Sequence, residues 1–370
     1  MSKKTRYAVI GAGNGGKAMA AHLALKGFPV SLYNRTPSRI EAIKELGGIQ
    51  LESFDGGPHG FGKLRKVTSS IEEVVEDADV IMVVLPSSAH AQIAAQLSSC
   101  LKDGQLIILH PGRTCGAIEF RKVISDMGCE AEVTIAEAET FLYASRSEGP
   151  ALARIFRIKN AVPLAALPAT RTKEVLDVIR DAFSEYIDGV NVLNTGLNNM
   201  GAIFHPALTI LNAGRIESTA GEFQFYIDGV TPSTARVLQV LDRERVTVAA
   251  SVGVRARTAL EWLRLAYNVQ GENLYQAIQN QTGYHGIKAP NTLNHRYIFE
   301  DVPMSLVPIA ALAQRYGVSV RGIESIIRMA CIIHSTDYWR RGRTLDKLGI
   351  QHLSVGELTR YVNDGIEFIR

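Results

Sequence analysis

The amino-acid sequence predicts an α/β fold in its N-terminal half and an all-helical fold in its C-terminal half. An apolar run from Tyr7 to Ile10 leads directly into G-A-G-N-G-G and then into an alanine- and leucine-rich stretch, which is the order strand, tight turn and helix. From about residue 193 onward, apolar residues recur almost only at helical spacing. The 370 residues are enough for two domains with separate cores, which we place at 1–192 and 193–370.

The glycines after the first strand have the spacing G-x-G-x-x-G, formed by Gly11, Gly13 and Gly16. The first glycine permits a tight turn, the second lets a pyrophosphate approach the backbone, and the third lets the helix pack closely on the strand. The amides and the positive dipole end of the following helix favour a diphosphate. The sequence therefore predicts a Rossmann-type doubly wound sheet that binds a dinucleotide through these glycines, Asn14 and Gly15.

The residues after the second predicted strand, 29–33, decide which nicotinamide cofactor fits. An Asp or Glu at this point would bond the ribose hydroxyls and repel a 2′-phosphate. The chain instead has Asn34, Arg35 and Thr36, and a guanidinium is a planar fork for a phosphate. These three residues favour NADP(H), with NAD(H) as the alternative if Arg35 is only a solvated surface charge.

Further apolar runs at 79–85 and 105–109 are typical of parallel strands buried on both faces. Ligands bind at the carboxyl ends of such strands. We therefore expect Pro86 to contact the cofactor, and segments 110–112 and 137–140 to line the same crevice.

The C-terminal half contains two polar stretches among its helical patterns. In the first, Pro206 lacks a backbone donor, so we expect a helix to start or kink at His205. In the second, Arg296 and Asp301 lie in a charged segment before Pro303, where a bent loop would bring both to one opening. The helices are predicted at 198–211, 232–267, 274–279, 306–316, 321–333 and 355–368.

These residue types allow one specific chemistry if they meet in space. A carboxylate bonded to one imidazole nitrogen fixes the tautomer, so the other nitrogen exchanges a proton near neutral pH. A guanidinium nearby would hold a substrate carboxylate in a bidentate grip. The residues alone leave the alternatives open, since a lone histidine is often structural, an Asp before a proline often forms a turn, and an arginine near an acid often forms an ordinary ion pair.

Several segments resemble the octopine/nopaline dehydrogenase family, the opine dehydrogenases. They follow the family's order over most of the chain, and after G-A-G-N-G-G they are P-S-S-A-H, H-P-G-R-T-C-G-A-I-E-F, A-E-A-E-T-F-L-Y-A-S-R, N-N-M-G-A-I-F-H-P and R-Y-I-F-E-D-V-P-M-S-L-V-P. The resemblance implies that an amino acid condenses with a pyruvate-like 2-oxo acid and that the imine is reduced to a secondary amine dicarboxylate. It also implies that His205 is the catalytic histidine, Asp301 its partner, and Arg296 the ligand of the oxo-acid carboxylate. Met304 and Ser305, which follow Pro303, depart from the family pattern. The resemblance therefore does not define the amino-acid pocket, which these two positions would shape.

Two other classes of protein share parts of this pattern. A ketopantoate-reductase-like oxo acid reductase has a similar two-domain plan but needs no amine. A non-enzymatic nucleotide-sensing protein would keep Arg296 and Asp301 as structural ion pairs and would turn nothing over.

Composition excludes several partners. A net charge of +3 favours neither nucleic acid nor an anionic membrane, and no apolar run is long enough to span a bilayer. The four cysteines have no metal spacing, so no metal is predicted. The first strand follows the N-terminus with no room for a cleavable signal, so we expect a cytoplasmic protein. The pattern over 232–267 suits either a homodimer face or the core.

Overall fold

A computed structural model describes residues 4–54 and 56–368. The chain packs into two compact units. The first contains the chain up to Gly112, Gly116–Thr195 and the segment from Arg360, and the second contains Arg113–Cys115 and Gly196–Thr359. The division into functional domains 1–192 and 193–370 stays a prediction.

The first unit is an α/β structure whose strands and helices alternate along much of the chain. Its strands are β1 (Tyr7–Ile10), β2 (Val30–Tyr33), β3 (Gly48–Ser53), β4 (Gly60–Lys63), β5 (Lys66–Thr68), β6 (Val80–Val83), β7 (Leu106–Leu109), β8 (Thr134–Ala138), β9 (Tyr143–Gly149), β10 (Leu152–Ile158), β11 (Val162–Leu167) and β12 (Tyr186–Asp188). Its helices are α1 (Asn14–Leu25), α2 (Glu41–Leu46), α3 (Ile71–Val75), α4 (His90–Leu97), α5 (Gly116–Asp126) and α6 (Thr172–Ile179).

Eight strands form one sheet in the order β12-β11-β8-β7-β6-β1-β2-β5. All neighbours are parallel except β8 and β11, which pair antiparallel. β1 pairs with β2 and β6 and is buried along its whole length, which explains its unbroken apolar sequence. The strand order reverses between β1 and β6, so the predicted doubly wound sheet is confirmed.

A second, four-stranded sheet in the order β4-β3-β10-β9 was not predicted. β10 pairs parallel with β3 in this sheet, with Leu152 opposite Gln50. Helix α1 packs against both sheets, and the Lys17 amino group reaches β9, where it donates to Ser147 Oγ at 2.9 Å and to the Gly149 carbonyl at 3.0 Å.

The second unit is helical, as predicted. Helices α7 (Val192–Leu197) and α17 (Val355–Asp364) contain residues assigned to each of the two units. The remaining helices are α8 (Gly201–Leu211), α9 (Ala213–Thr219), α10 (Pro232–Ser251), α11 (Ala259–Tyr267), α12 (Leu274–Gln279), α13 (Arg296–Phe299), α14 (Val307–Arg315), α15 (Arg321–Ile333) and α16 (Tyr338–Arg341). A π-helical turn, Val302–Leu306, precedes α14.

Two helix predictions in this unit were wrong in detail. The pattern over 232–267 is two helices, because Gly253 takes a φ of +77° and Thr258 begins α11 with a capping box to Glu261. Helix α8 begins at Gly201, four residues before His205, and contains Pro206 in its interior. Helix α7 was not among the predicted helices.

Within the described ranges, no helix is both long and apolar enough to cross a bilayer. The same residues hold no group of three or more His, Cys, Asp or Glu side chains arranged for a metal ion.

Candidate functional site

The glycine-rich turn after β1 is built so that larger residues do not fit. Gly11 has a φ of +114°, and a Cβ there would lie 2.5 Å from the Val84 carbonyl oxygen. A Cβ on Gly16 would lie 1.7 Å from the Gly11 carbonyl oxygen. The turn and the close packing of α1 on β1 therefore both require glycine, as the spacing predicted.

The mouth of this turn is open where a diphosphate would lie. A Cβ on Gly13 would meet no atom within 4 Å, and Gly13 precedes α1 without any side-chain cap on the first amides. Asn14 is the first residue of α1, and its Oδ1 accepts from the Ser147 amide of β9 at 3.0 Å. Open amides at a helix start are the donors that a phosphate needs, so the residues present fit a dinucleotide.

Phe141 is a neighbour of this turn that sequence reasoning missed. A Cβ on Gly15 would lie 2.6 Å from the Phe141 ring, so the ring covers the turn at this point. Phe141 lies in the A-E-A-E-T-F-L-Y segment after β8, which the sequence linked to the crevice only through residues 137–140.

Of the three residues after β2, Asn34 is buried, whereas Arg35 and Thr36 are exposed. Asn34 is buried, its Oδ1 accepts from the Ala12 amide at 3.5 Å, and its Nδ2 donates to the Thr36 carbonyl at 3.1 Å. Arg35 and Thr36 are exposed, and no hydrogen bond or ion pair ties the Arg35 guanidinium to the rest of the described chain. Pro86 is also exposed, directly before the short helical turn Ser87–Ala89.

The second unit brings His205 and Asp301 together, although they lie 96 positions apart. His205 Nδ1 is 2.9 Å from Asp301 Oδ2. The Asp301 side chain is fully buried, whereas His205 keeps about a fifth of its side-chain surface, 20%, exposed. Burial alone would raise the pKa of Asp301, but the charges of Arg113 and His205 outweigh it and lower that pKa. An ionised carboxylate only accepts, so Nδ1 carries the hydrogen and Nε2 is the nitrogen that can take up a proton.

Tyr297 fixes the plane of the His205 ring. The two rings stack with centroids 4.0 Å apart and planes 16° apart, and His295 meets the same Tyr297 ring edge-on at 4.4 Å. The sequence contained both residues next to Arg296 but gave no sign of the stack.

Arg296 lies on the short helix α13, one turn before the buried carboxylates. Its Nη2 is 2.7 Å from Glu300 Oε2, and 45% of its side chain is exposed. The guanidinium is therefore held from one side and open to solvent on another, which leaves donors for a ligand.

Arg113 is a charged residue beside Glu300 and Asp301 that the sequence analysis missed. Its Nη1 lies 3.1 Å from Asp301 Oδ1 and its Nε lies 3.5 Å from Glu300 Oε1. Nη1 also donates to Asn199 Oδ1 at 3.2 Å, and Asn199 Nδ2 donates to Ser305 Oγ at 3.0 Å. The signal was its place in H-P-G-R-T-C-G, a segment recognised as a motif without a role for its arginine.

The fold and the site define a class of protein. The Rossmann-type unit has a glycine turn that fits a dinucleotide, and the helical unit carries a histidine–aspartate pair. Together these features are typical of a nicotinamide-dependent oxidoreductase.

Comparisons with known proteins make this class specific. The family model described as the α-helical domain of NAD/NADP octopine/nopaline dehydrogenase matches residues 189–334, and the NAD-binding domain of 6-phosphogluconate dehydrogenase matches residues 6–123. An opine dehydrogenase from Arthrobacter sp. (strain 1C) is 40% identical over 354 residues, which are 96% of this chain and 98% of that protein.

Two solved structures share the whole fold. Octopine dehydrogenase with NADH and L-arginine is 18% identical and superposes with a TM-score of 0.83 over 99% of this chain and 100% of that one. Yersinopine dehydrogenase with NADP+ bound is 15% identical, with a TM-score of 0.76 over 97% of this chain and 96% of that one.

The chain belongs to the opine dehydrogenase family. It is therefore an NAD(P)-dependent oxidoreductase that acts on CH–NH donors, and its reaction class is the reductive condensation of an amino acid with a 2-oxo acid. The predicted family, fold class and type of cofactor are confirmed.

Proposed function

We propose that this enzyme joins the amino group of an amino acid to the carbonyl carbon of a pyruvate-like 2-oxo acid and reduces the imine with NADPH in preference to NADH. In this proposal His205 is the acid–base group, Asp301 orients it, and Arg296 binds the oxo-acid carboxylate. The observation that carries the proposal is the 2.9 Å contact between His205 Nδ1 and the buried Asp301 carboxylate.

His205 would move the proton at its Nε2. In the reductive direction the imidazolium donates to the oxygen of the carbinolamine, which leaves as water, and Asp301 stabilises the charged ring before the transfer. In the oxidative direction the neutral ring takes the proton back. The stack on Tyr297 supports this role because it keeps the ring in one plane throughout.

Arg296 would orient the second reactant. A guanidinium binds a carboxylate with two parallel hydrogen bonds, and Glu300 fixes its position from the buried side. Holding the oxo acid by its carboxylate turns its carbonyl carbon toward the amine and converts a bimolecular encounter into a positioned one.

The first unit would hold the cofactor, which supplies the hydride when bound. Gly11, Gly13, Asn14, Gly15 and Gly16 would surround the pyrophosphate, with Gly13 and the first amides of α1 in contact. At the end of β2, Asn34 accepts from the Ala12 amide of the glycine turn and would support the cofactor site there. Arg35 and Thr36 are exposed and suit a 2′-phosphate, and Pro86 would line the cofactor's path.

The assembly and the cell compartment stay predictions. They are a homodimer and a cytoplasmic location, and sedimentation analysis of the purified enzyme would test the homodimer.

A screen of substrates tests the reaction. Oxidation of NADPH and NADH is followed with pyruvate and a panel of amino acids, and each oxo acid is also tested without an amine. We expect turnover only when both substrates are present, with NADPH preferred. Turnover of an oxo acid alone at the same rate would indicate a simple oxo acid reductase.

A histidine variant tests the site. His205→Ala should lower kcat by about two to four orders of magnitude with little change in cofactor affinity. His285→Ala, an exposed histidine of the same unit, is the matched control and should behave as wild type. A near-wild-type rate for His205→Ala would remove this residue from the mechanism.

A further inference from the structure

We propose that Arg113 is a positioning residue for this reaction, and that its single guanidinium aligns the acid–base histidine and the carboxylate-binding arginine at the same time. The inference rests on the roles proposed above for His205 and Arg296. It assigns to the arginine of H-P-G-R-T-C-G a function that neither the motif nor the fold supplies.

The geometry is a chain of alternating charges with Arg113 at its centre. On one side Arg113 Nη1 contacts Asp301 Oδ1 at 3.1 Å, and Asp301 Oδ2 contacts His205 Nδ1 at 2.9 Å. On the other side Arg113 Nε lies 3.5 Å from Glu300 Oε1, and Glu300 Oε2 contacts Arg296 Nη2 at 2.7 Å. Each carboxylate uses one oxygen for Arg113 and the other for a proposed reactive group.

Asp301 owes part of its lowered pKa to this guanidinium. Glu300 and Asp301 are adjacent in the chain and fully buried, so they repel each other and lose the stabilisation of water. Burial alone would lower the pKa of Arg113, but the charges of Asp301 and Glu300 outweigh it and raise that pKa. Among the charged groups that lower the pKa of Asp301, Arg113 makes the largest contribution.

The backbone around Arg113 is held in a conformation that side chains rarely adopt. Arg113 and Cys115 both have a φ of 61°. Thr114 between them donates its amide to the Met304 carbonyl at 3.2 Å and its hydroxyl to the Gly196 carbonyl at 2.9 Å. Arg343 donates to the Thr114 carbonyl at 2.9 Å. A strained segment persists where its surroundings fix it, and here it delivers one side chain to two carboxylates.

The charges around His205 provide a measurement that distinguishes the proposed role of Arg113 from a purely structural one. Two carboxylates, Glu300 and Asp301, are balanced by two guanidiniums, Arg113 and Arg296. Tyr297 stacks on His205 and His295 meets the same Tyr297 ring, and burial, followed by the Arg296 charge, lowers the pKa of His295. Removing the Arg113 charge leaves an excess negative charge beside the imidazole, which favours its protonated form.

The test is Arg113→Met, with the ring of His205 titrated by NMR in the free protein and its signal assigned by comparison with His205→Ala. We expect the imidazole to stay protonated to a higher pH in the variant than in wild type. The pH profile of the reaction should move by the same amount in the same direction. The KM for the oxo acid should rise by about tenfold or more, because Arg296 loses its fixed partner geometry.

Arg113→Lys separates charge from geometry. A lysine keeps the positive charge but is a point donor that cannot span both carboxylates. We expect a His205 titration close to that of wild type, together with a raised KM for the oxo acid and a lowered kcat. A lysine variant with unchanged KM and kcat would overturn the proposal, and this variant remains informative if Arg113→Met does not fold.

Arg245→Met is the matched control. Arg245 is fully buried in the same unit and pairs with Asp242 at 2.7 Å, so its loss also strands a buried carboxylate. Arg245→Met should lower the midpoint of thermal unfolding but leave the titration of His205 and the KM for the oxo acid unchanged. If Arg113→Met behaves like Arg245→Met, Arg113 is only structural, even when His205→Ala is inactive. If His205→Ala keeps the wild-type rate, the proposed roles fall first and the Arg113 assignment falls with them.

Discussion

Replacing Asp301 by asparagine changes one buried charge with almost no change in volume. The carboxylate contacts His205 Nδ1 at 2.9 Å and Arg113 Nη1 at 3.1 Å. Arg113 can only donate, so the new amide keeps its oxygen toward Arg113 and turns its NH₂ group toward His205. Nδ1 must then accept, and the hydrogen moves to Nε2, which is the reverse of the tautomer that the carboxylate enforces.

The size of the effect follows from the lost charge pair. Opposite unit charges about 4 Å apart interact by about 4 kcal/mol at an effective dielectric of about 20. This energy stabilises the imidazolium, and about 1.4 kcal/mol corresponds to a factor of ten in rate. We therefore expect kcat to fall by about three orders of magnitude in Asp301→Asn.

The assay is steady-state turnover in both directions, followed by the absorbance of the reduced nicotinamide, with cofactor affinity measured separately by its fluorescence. Asp242→Asn changes another buried carboxylate of the same unit and serves as the control. A kcat for Asp301→Asn within tenfold of wild type would refute the reasoning, because the pair would then contribute little to the proton transfer.

Three further changes test other parts of the chain. Arg35→Ala should weaken NADPH binding selectively, as measured by the dissociation constants of both cofactors, and an equal loss for NADH would refute the phosphate assignment. Gly16→Ala places a methyl group 1.7 Å from the Gly11 carbonyl oxygen. The free energy of unfolding should therefore fall by about 1–3 kcal/mol or more, and the affinity for NADPH should drop. Unchanged midpoints in denaturant-induced unfolding would contradict this. His22 is buried against the rings of Tyr143 and Phe183, and burial lowers its pKa to about 4. Since the unfolded chain protonates this group near 6.5, stability should be lost as the pH falls from about 6.5 to 4, by about 3 kcal/mol, and His22→Phe should remove that part of the loss in urea titrations across this range.

The main sheet could be predicted because its strands are buried on both faces. Runs such as V-I-M-V in β6 and L-I-I-L in β7 have no polar residue, which is typical of strands buried on both faces. The glycine turn was predictable for a similar reason, since its steric demands act between residues only a few positions apart.

The second sheet could not be predicted because its pairing is long-range and its strands are half exposed. β9 has the sequence Y-A-S-R-S-E-G, with buried and exposed positions alternating, and its pairing with β10 involves register shifts. β3 and β10 pair across about a hundred positions, and nothing in either strand specifies the other. The break at Gly253, by contrast, had a readable signal in T-x-x-E from Thr258 to Glu261.

The candidate site shows the same limit. Residue chemistry selected His205, Arg296 and Asp301, and the family resemblance gave each a role. Arg113 was passed over because an arginine between two carboxylates is visible only after the chain has folded, and a motif match does not say which of its residues faces which partner.

Neither unit is one continuous stretch of chain. Residues 113–115 pack with the helical unit, although the chain on both sides of them belongs to the α/β unit, and the chain from Arg360 returns to the α/β unit, where Asn191 Nδ2 donates to Asn363 Oδ1 at 2.9 Å. A gene fragment that stops near residue 192 would strand the Arg113 guanidinium without its carboxylates and would lack this C-terminal return. Chimeras between relatives would therefore have to exchange the tripeptide 113–115 together with the helical half, so a single crossover would not transplant substrate choice.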